Sequence, residues 1–405
     1  MGQIHVVMKS PSMMTAMMLV SLVLLVHTTQ AQEAVVSVSN PASFDRPLET
    51  IELSRADLNM RMHLLTADSV AVLEHGKEIV SQLIDLNGDG LWDELVFQSG
   101  LTKHQRKQFT IRKMMPQPSP EEPRAIASAK YILPRKDIAW ENDRIAHRIY
   151  GSILAGNVLD GIDVWVKRVR YPIIDKWYNG DSLPGAKRIS YHVDHGEGAD
   201  MFNVGSSLGD GGCALWSGDG YIQNRFFSSY RIIASGPVRT MFTVTYDSSS
   251  VNGVPFTEVK TYMLDAGTNL TRVEVTFTGL KQRRPADVAI GLVKRPHTKR
   301  FGDAAGNWMS LWGPMDEDST HGALGIGVVV PRALTVRASE VSDHYLLIAQ
   351  TTSAKKFTYF TGAGWTKSGD FADAPSWNEY LASWARRCAR PLTVSITAPQ
   401  NPGKP

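Results

Sequence analysis

Val273-Glu-Val-Thr-Phe277 alternates apolar and polar side chains at every step. That is the period of a half-buried β-strand, because successive side chains of a strand leave opposite faces of the sheet. Phe242-Thr-Val-Thr-Tyr246 and Leu392-Thr-Val-Ser-Ile396 repeat the pattern, and many shorter runs of the same kind fill the chain around them. With no strand-helix alternation and no internal repeat, this predicts a mainly β protein built on a large β-sandwich rather than a parallel α/β sheet. One helix is expected, over Ser376 to Cys388. There Trp377, Tyr380, Leu381, Trp384 and Cys388 recur at helical spacing and Ser376 caps three positions before Glu379.

Toward the N-terminus, Val35 to Lys113 reads as short β-prone runs such as Thr50-Ile-Glu-Leu53 and Leu95-Val-Phe-Gln98, a small antiparallel module. Pro116-Gln-Pro-Ser-Pro-Glu-Glu-Pro123 then interrupts the pattern; proline donates no ladder hydrogen bond, so the stretch predicts a linker. Ahead of the module, Lys9 precedes an apolar run from Met13 to Val26 and the triplet Thr29-Gln30-Ala31, with small residues where a signal peptidase reads. A run of about 14 residues is too short to span a bilayer and predicts a secretory signal. The expected organisation is signal peptide 1–31, β module 32–114, linker 115–125 and sandwich domain 126–405. The expected location is periplasmic or secreted, with no membrane attachment after cleavage.

The balance of 43 Lys and Arg against 40 Asp and Glu, a formal charge of +3, argues against a nucleic-acid partner. Cys213 and Cys388 are the only cysteines. An oxidising compartment permits them to pair, but spacing in sequence leaves that question open.

The densest chemistry lies in Tyr191-His-Val-Asp-His-Gly-Glu-Gly-Ala-Asp200. His192 and His195, with Asp194 between them, suit either a divalent metal such as zinc or a general base oriented by Asp194 or Glu197, since imidazole titrates near neutral pH. A second cluster, Glu141-Asn-Asp-Arg-Ile-Ala-His-Arg-Ile-Tyr-Gly151, read as a strand puts Asn142, Arg144, Ala146, Arg148 and Tyr150 on one face and Glu141, Asp143, Ile145, His147 and Ile149 on the other. Guanidinium groups beside a tyrosine suit a carboxylate-bearing substrate, or else an exposed salt-bridged face. Asp85-Leu-Asn-Gly-Asp-Gly-Leu-Trp-Asp93 has the oxygen spacing of a calcium loop at Asp85, Asn87, Asp89 and Asp93, but Val96 stands where the bidentate glutamate belongs. A hairpin turn explains the same residues. Lys294, Trp365 and the ten tryptophans fit either a carbohydrate cleft or an ordinary core.

These motifs, with Val204-Gly-Ser-Ser-Leu-Gly-Asp-Gly-Gly212, Gly364-Trp-Thr-Lys-Ser-Gly-Asp-Phe371 and the segment from Asp85 to Phe97, resemble a family of secreted bacterial proteins known as a domain of unknown function. Its members occur among polysaccharide-degradation genes, and one branch resembles ulvan oligosaccharide dehydratases. The resemblance spans most of the chain. It implies a galactose-mutarotase-like supersandwich and a lyase that removes water from a non-reducing-end uronic acid to leave a 4,5-unsaturated sugar.

Such an elimination needs the carboxylate charge offset, a base at C5 and an acid at the C4 hydroxyl. Arg144, Arg148 or a metal would offset the charge, with Trp365 and Lys294 as further sugar contacts. His192 and His195 would act as base and acid, with Tyr191, Tyr150 and His147 in reserve. Three rivals stay open: a mutarotase or epimerase-like enzyme, a non-catalytic glycan-binding protein and a hydrolase, the last disfavoured for want of an obvious carboxylate pair.

Overall fold

The structure is a computed structural model. It describes residues 33–398 except 66–67, 115–125, 153–160, 225, 252–253, 281–285, 304–306, 332–335 and 352–355. The expected signal peptide and proline-rich linker lie outside the described residues.

Every strand pair among the described residues is antiparallel apart from one isolated bridge. An eight-stranded sheet runs in spatial order through Ser229–Ala234, Arg239–Val251, Val254–Asp265, Leu270–Thr278, Lys356–Trp365, Ala323–Val329, Trp308–Pro314 and Lys299–Asp303. Phe242, Val244 and Tyr246, with Val273, Val275 and Phe277, point from it into one apolar core. The same core takes Cys213, Leu215, Val288 and Ile290 from a second sheet, and Trp140, Ile145, Ile149 and Val164 from a third. The stretches at Phe242 to Tyr246 and Val273 to Phe277 therefore build a large β-sandwich, as their period predicts.

The third sheet positions the candidate site. Its order is Gly198–Ala199, Asp163–Lys167, Ile145–Ile149, Asp137–Glu141, Ser128–Ile132. Ile145–Ile149 is buried on both faces. Ile145, His147 and Ile149 face the sandwich core, while Ala146 and Arg148 face a smaller aromatic layer of Trp165, Trp177, Tyr178 and Tyr191.

Among the described residues there are three α-helices: α1 (Arg55–Met62), α2 (Ile174–Asp181) and α3 (Ala374–Ala389). The expected late helix is α3, but it starts two residues early because Asp373, not Ser376, is the cap. The Asp373 side chain accepts from the Ser376 amide, and the Ser376 hydroxyl closes a reciprocal capping box. Trp377 and Leu381 lie against Gly325, Gly327 and Gly364, where any Cβ would collide with them or with Phe371. α2 lacks a cap of its own. Glu141 substitutes: its carboxylate accepts from the Ile173 and Ile174 amides at 2.9 Å and from the Lys167 ammonium at 2.7 Å. That buried carboxylate fastens α2 to the third sheet.

At the N-terminus, Arg46–Ser54 and Glu94–Leu101 pair as expected strands. One strand is placed differently from its sequence reading. Thr393–Thr397 does not close the sandwich; it pairs with Glu33–Ser39 and adds a strand to the N-terminal module. Its alternation was real, but alternation says nothing about which sheet a strand joins. Cys213 lies in the sandwich core and Cys388 on α3, with no disulfide joining them, and burial pushes the Cys388 thiol up to about 12.

Candidate active site

Arg148 stands directly opposite Asp163 in the register of two neighbouring strands. Its Nε and one terminal nitrogen donate to Asp163 Oδ2 at 3.0 and 2.6 Å. That terminal nitrogen also donates to Asp200 Oδ2 at 2.8 Å and to the Tyr150 hydroxyl at 3.3 Å, and the other donates to the Tyr191 hydroxyl at 3.2 Å. The guanidinium lies over the rings of Tyr150, Trp165 and Tyr191. Burial works against its charge, yet the Asp163 carboxylate outweighs burial and keeps it protonated.

Asp200 reaches this hub because of glycine. Gly198 has φ +116 and a Cβ there would collide with the Val166 carbonyl, so only glycine lets Gly198–Ala199 pair along Asp163–Lys167 and bring Asp200 beside Arg148. One arginine then serves two carboxylates. Burial and the Asp163 charge push the Asp200 carboxyl well above the usual carboxylate range, which favours its protonated form.

Arg135, Arg148, Tyr150, Tyr191, His192 and Asp200 line one cavity of about 400 Å³. His192 Nδ1 lies 2.9 Å from the Asp200 carbonyl oxygen. A carbonyl only accepts, so Nδ1 carries the hydrogen and Nε2 keeps its lone pair. The Tyr150 and Tyr191 hydroxyls accept from Arg148, which leaves their own protons to donate.

The remaining expected residues are dispersed. His195 lines a separate cavity of about 230 Å³ with Lys176, Trp177 and Glu197, so it does not join His192. His147 faces the sandwich core instead of the cavity. It is fully buried and stacked on Trp140, and burial holds its imidazole down at about 4. Arg144 is engaged by Asp143 and Asp370, and Arg170 shares Asp370. Trp365 is buried, donating to the His321 carbonyl at 2.8 Å with Arg168 over its ring. Lys294 bonds Glu340 and the Val341 carbonyl.

Asp194 bonds Arg168 and the Gly196 and Gly198 amides; Glu197 bonds Tyr171, Lys176 and Trp177. These carboxylates brace the loop, and it is the Asp200 carbonyl that orients a histidine. Asp163 and Arg135 escaped the sequence reading because each lies outside the two polar clusters, in stretches whose local pattern is ordinary.

The metal expectations fare similarly. Among the described residues no three His, Cys, Asp or Glu side chains are grouped to hold a metal ion, and His192, His195 and Asp194 are not assembled into a ligand set. In the Asp85–Asp93 turn, Asp85 accepts from the Gly88 and Gly90 amides, Asn87 from Asp89, Asp89 from Leu91 and Asp93 from Leu86. The strands on either side of it pair, so the turn is a self-braced hairpin loop.

Fold and site together define a class: a layered antiparallel β protein with a buried arginine hub under a polar cavity. Residues 38–394 match the model of the family described as "Domain of unknown function (DUF4861)", and the chain belongs to that family. It is 30% identical over 386 residues to "Uncharacterized protein P7" of Formosa agariphila, covering 90% of this chain and 94% of that one. Among solved structures it resembles a protein in glycosyl hydrolase family 38 from Enterococcus faecalis (11% identity, TM-score 0.47), covering 91% of this chain and 49% of that one. It also resembles an α-mannosidase from Enterococcus faecalis V583 (10% identity, TM-score 0.46), covering 91% of this chain and 46% of that one. The chain thus spans about half the length of these two structures. No helix among the described residues is long and apolar enough to cross a membrane.

Proposed function

We propose that the protein is a carbon-oxygen lyase, an oligosaccharide dehydratase acting on a terminal uronic acid outside the cytoplasm, where the signal-like N-terminus would send it. The observation that carries this reading is the placement, in one cavity, of an imidazole whose Nδ1 is turned to a carbonyl beside a buried carboxyl whose surroundings favour its protonated form. Elimination asks for that pair: a base to take a proton from carbon and an acid to make hydroxide leave as water.

His192 Nε2 takes the C5 proton and the electron pair of the broken C–H bond forms the C4–C5 double bond. The C4–O bond breaks as Asp200 protonates the departing oxygen, releasing one water. The imidazolium then gives up its Nε2 proton to solvent water and the Asp200 carboxylate takes one back from it, which restores both groups with Nδ1 still donating to the Asp200 carbonyl. The Tyr150 and Tyr191 hydroxyls donate to the sugar, with Tyr191 held against Trp165 and Tyr178 in the aromatic layer.

The test incubates purified protein with oligosaccharides ending in glucuronate or iduronate and follows the mass loss of one water together with ultraviolet absorbance of the new enoate. A changed anomer or epimer ratio without absorbance would instead support the mutarotase or epimerase reading, since the same acid and base serve it. Binding with no turnover would leave a glycan-binding protein.

A further inference from the structure

Arg148 was expected to hold the substrate carboxylate, but Nε and both terminal nitrogens are already engaged by Asp163, Asp200, Tyr150 and Tyr191, and its side chain is 6% exposed. A guanidinium in that state positions its neighbours. It has no free edge for two parallel bonds to a ligand.

Another guanidinium lines the same cavity. Arg135 follows the edge strand Ser128–Ile132, in a turn closed by the Lys136 amide donating to the Ile132 carbonyl at 2.7 Å. Its side chain is 34% exposed. One terminal nitrogen donates to Asp181 Oδ2 at 2.9 Å, while Asp181 Oδ1 accepts from Arg188 Nε at 2.9 Å. One carboxylate therefore serves two guanidiniums, so Arg135 shares the Asp181 charge with Arg188. Arg135 lies over the Tyr191 and Tyr178 rings at 5.5 and 5.9 Å, which holds it beside the phenol that lines the site.

We propose that Arg135 is the specificity-determining residue of this cavity, binding the carboxylate of a terminal acidic sugar so that the site takes acidic in preference to neutral pyranoses. The inference rests on the reading of the cavity as a sugar site, and it moves the substrate-binding role from the buried arginine to one absent from both polar clusters of the sequence. A carboxylate on Arg135 also offsets the charge that makes C5 a weak carbon acid.

The test compares wild-type protein with Arg135→Gln, Arg135→Lys and Arg188→Gln. Probes are a glucuronate-terminated oligosaccharide, its methyl ester and the glucose-terminated counterpart, with affinity measured by calorimetry and turnover by mass. Wild type should bind the acid more tightly than the ester. Arg135→Gln should weaken acid binding roughly 10- to 100-fold, the worth of one charge-assisted contact, and leave ester binding unchanged. Arg135→Lys should recover only part, because an ammonium lacks the planar fork. Arg188→Gln breaks the same Asp181 pairing from outside the cavity and should keep the acid preference, which separates loss of a ligand contact from loss of local structure.

If wild type shows no acid preference, or Arg135→Gln retains it, the proposal is overturned. Acid preference that depends on Arg135 without any loss of water would support the clamp and sink the dehydratase reading. Water loss unaffected by Arg135→Gln would do the reverse.

Discussion

His192 Nδ1 and the Asp200 carbonyl oxygen stand 2.9 Å apart, and this contact decides which imidazole nitrogen faces the cavity as a base. His192→Ala should lower turnover by roughly 10²- to 10⁴-fold, the range for removing a general acid or base, while oligosaccharide affinity changes little. His195→Ala should leave turnover within a few-fold, because His195 lines the other cavity. Steady-state kinetics beside calorimetric titration checks both; equal losses in the two variants would contradict the assignment.

Asp200 offers a test through pH. Its folded-state pKa is raised, first by burial and then by Asp163, so the native state holds a proton that the unfolded chain releases. Its contribution to stability is full below the unfolded value of about 3.9 and falls as pH rises toward the folded value. Asp200→Asn keeps the neutral shape without the titration. It should lose most turnover, fold normally at neutral pH, and show a shallower decline of stability with rising pH than wild type in urea titrations across a pH series.

His147 works in the opposite sense. Burial holds its imidazole down at about 4, so the native state stays neutral where the unfolded chain takes a proton. Stability from this source is complete above the unfolded value of about 6.5 and is lost as pH falls from there through about 4, on the order of a few kcal/mol. His147→Phe keeps an aromatic ring against Trp140 and should shift acid unfolding to lower pH, followed by circular dichroism. Turnover should persist, since His147 faces the sandwich core.

Glu141 ties Lys167 to the start of α2, with both side chains buried. Glu141→Ala leaves a buried ammonium without its carboxylate and α2 without its cap, and should cost about 3–5 kcal/mol of stability. Because α2 carries Trp177 and Tyr178 against Tyr191, the loss should be accompanied by weaker sugar binding. Thermal unfolding and calorimetry read the two effects.

The β architecture was legible in the order of residues, because the period of Val273-Glu-Val-Thr-Phe277 admits one orientation against a core. The same order also marked α3 through its apolar spacing and located the segment from Tyr191 to Asp200 through its density of titratable groups. Which of those groups meet came from packing in three dimensions. His192 and His195 are three residues apart and line different cavities. Arg148 is occupied by Asp163 from the neighbouring strand and by Asp200, which a glycine-only backbone brings in. α2 takes its cap from Glu141, more than thirty residues upstream. Periodicity reports the face on which a side chain lies. Pairing across strands, burial and the sharing of one charge between two partners depend on distances through space, and a local pattern carries none of them.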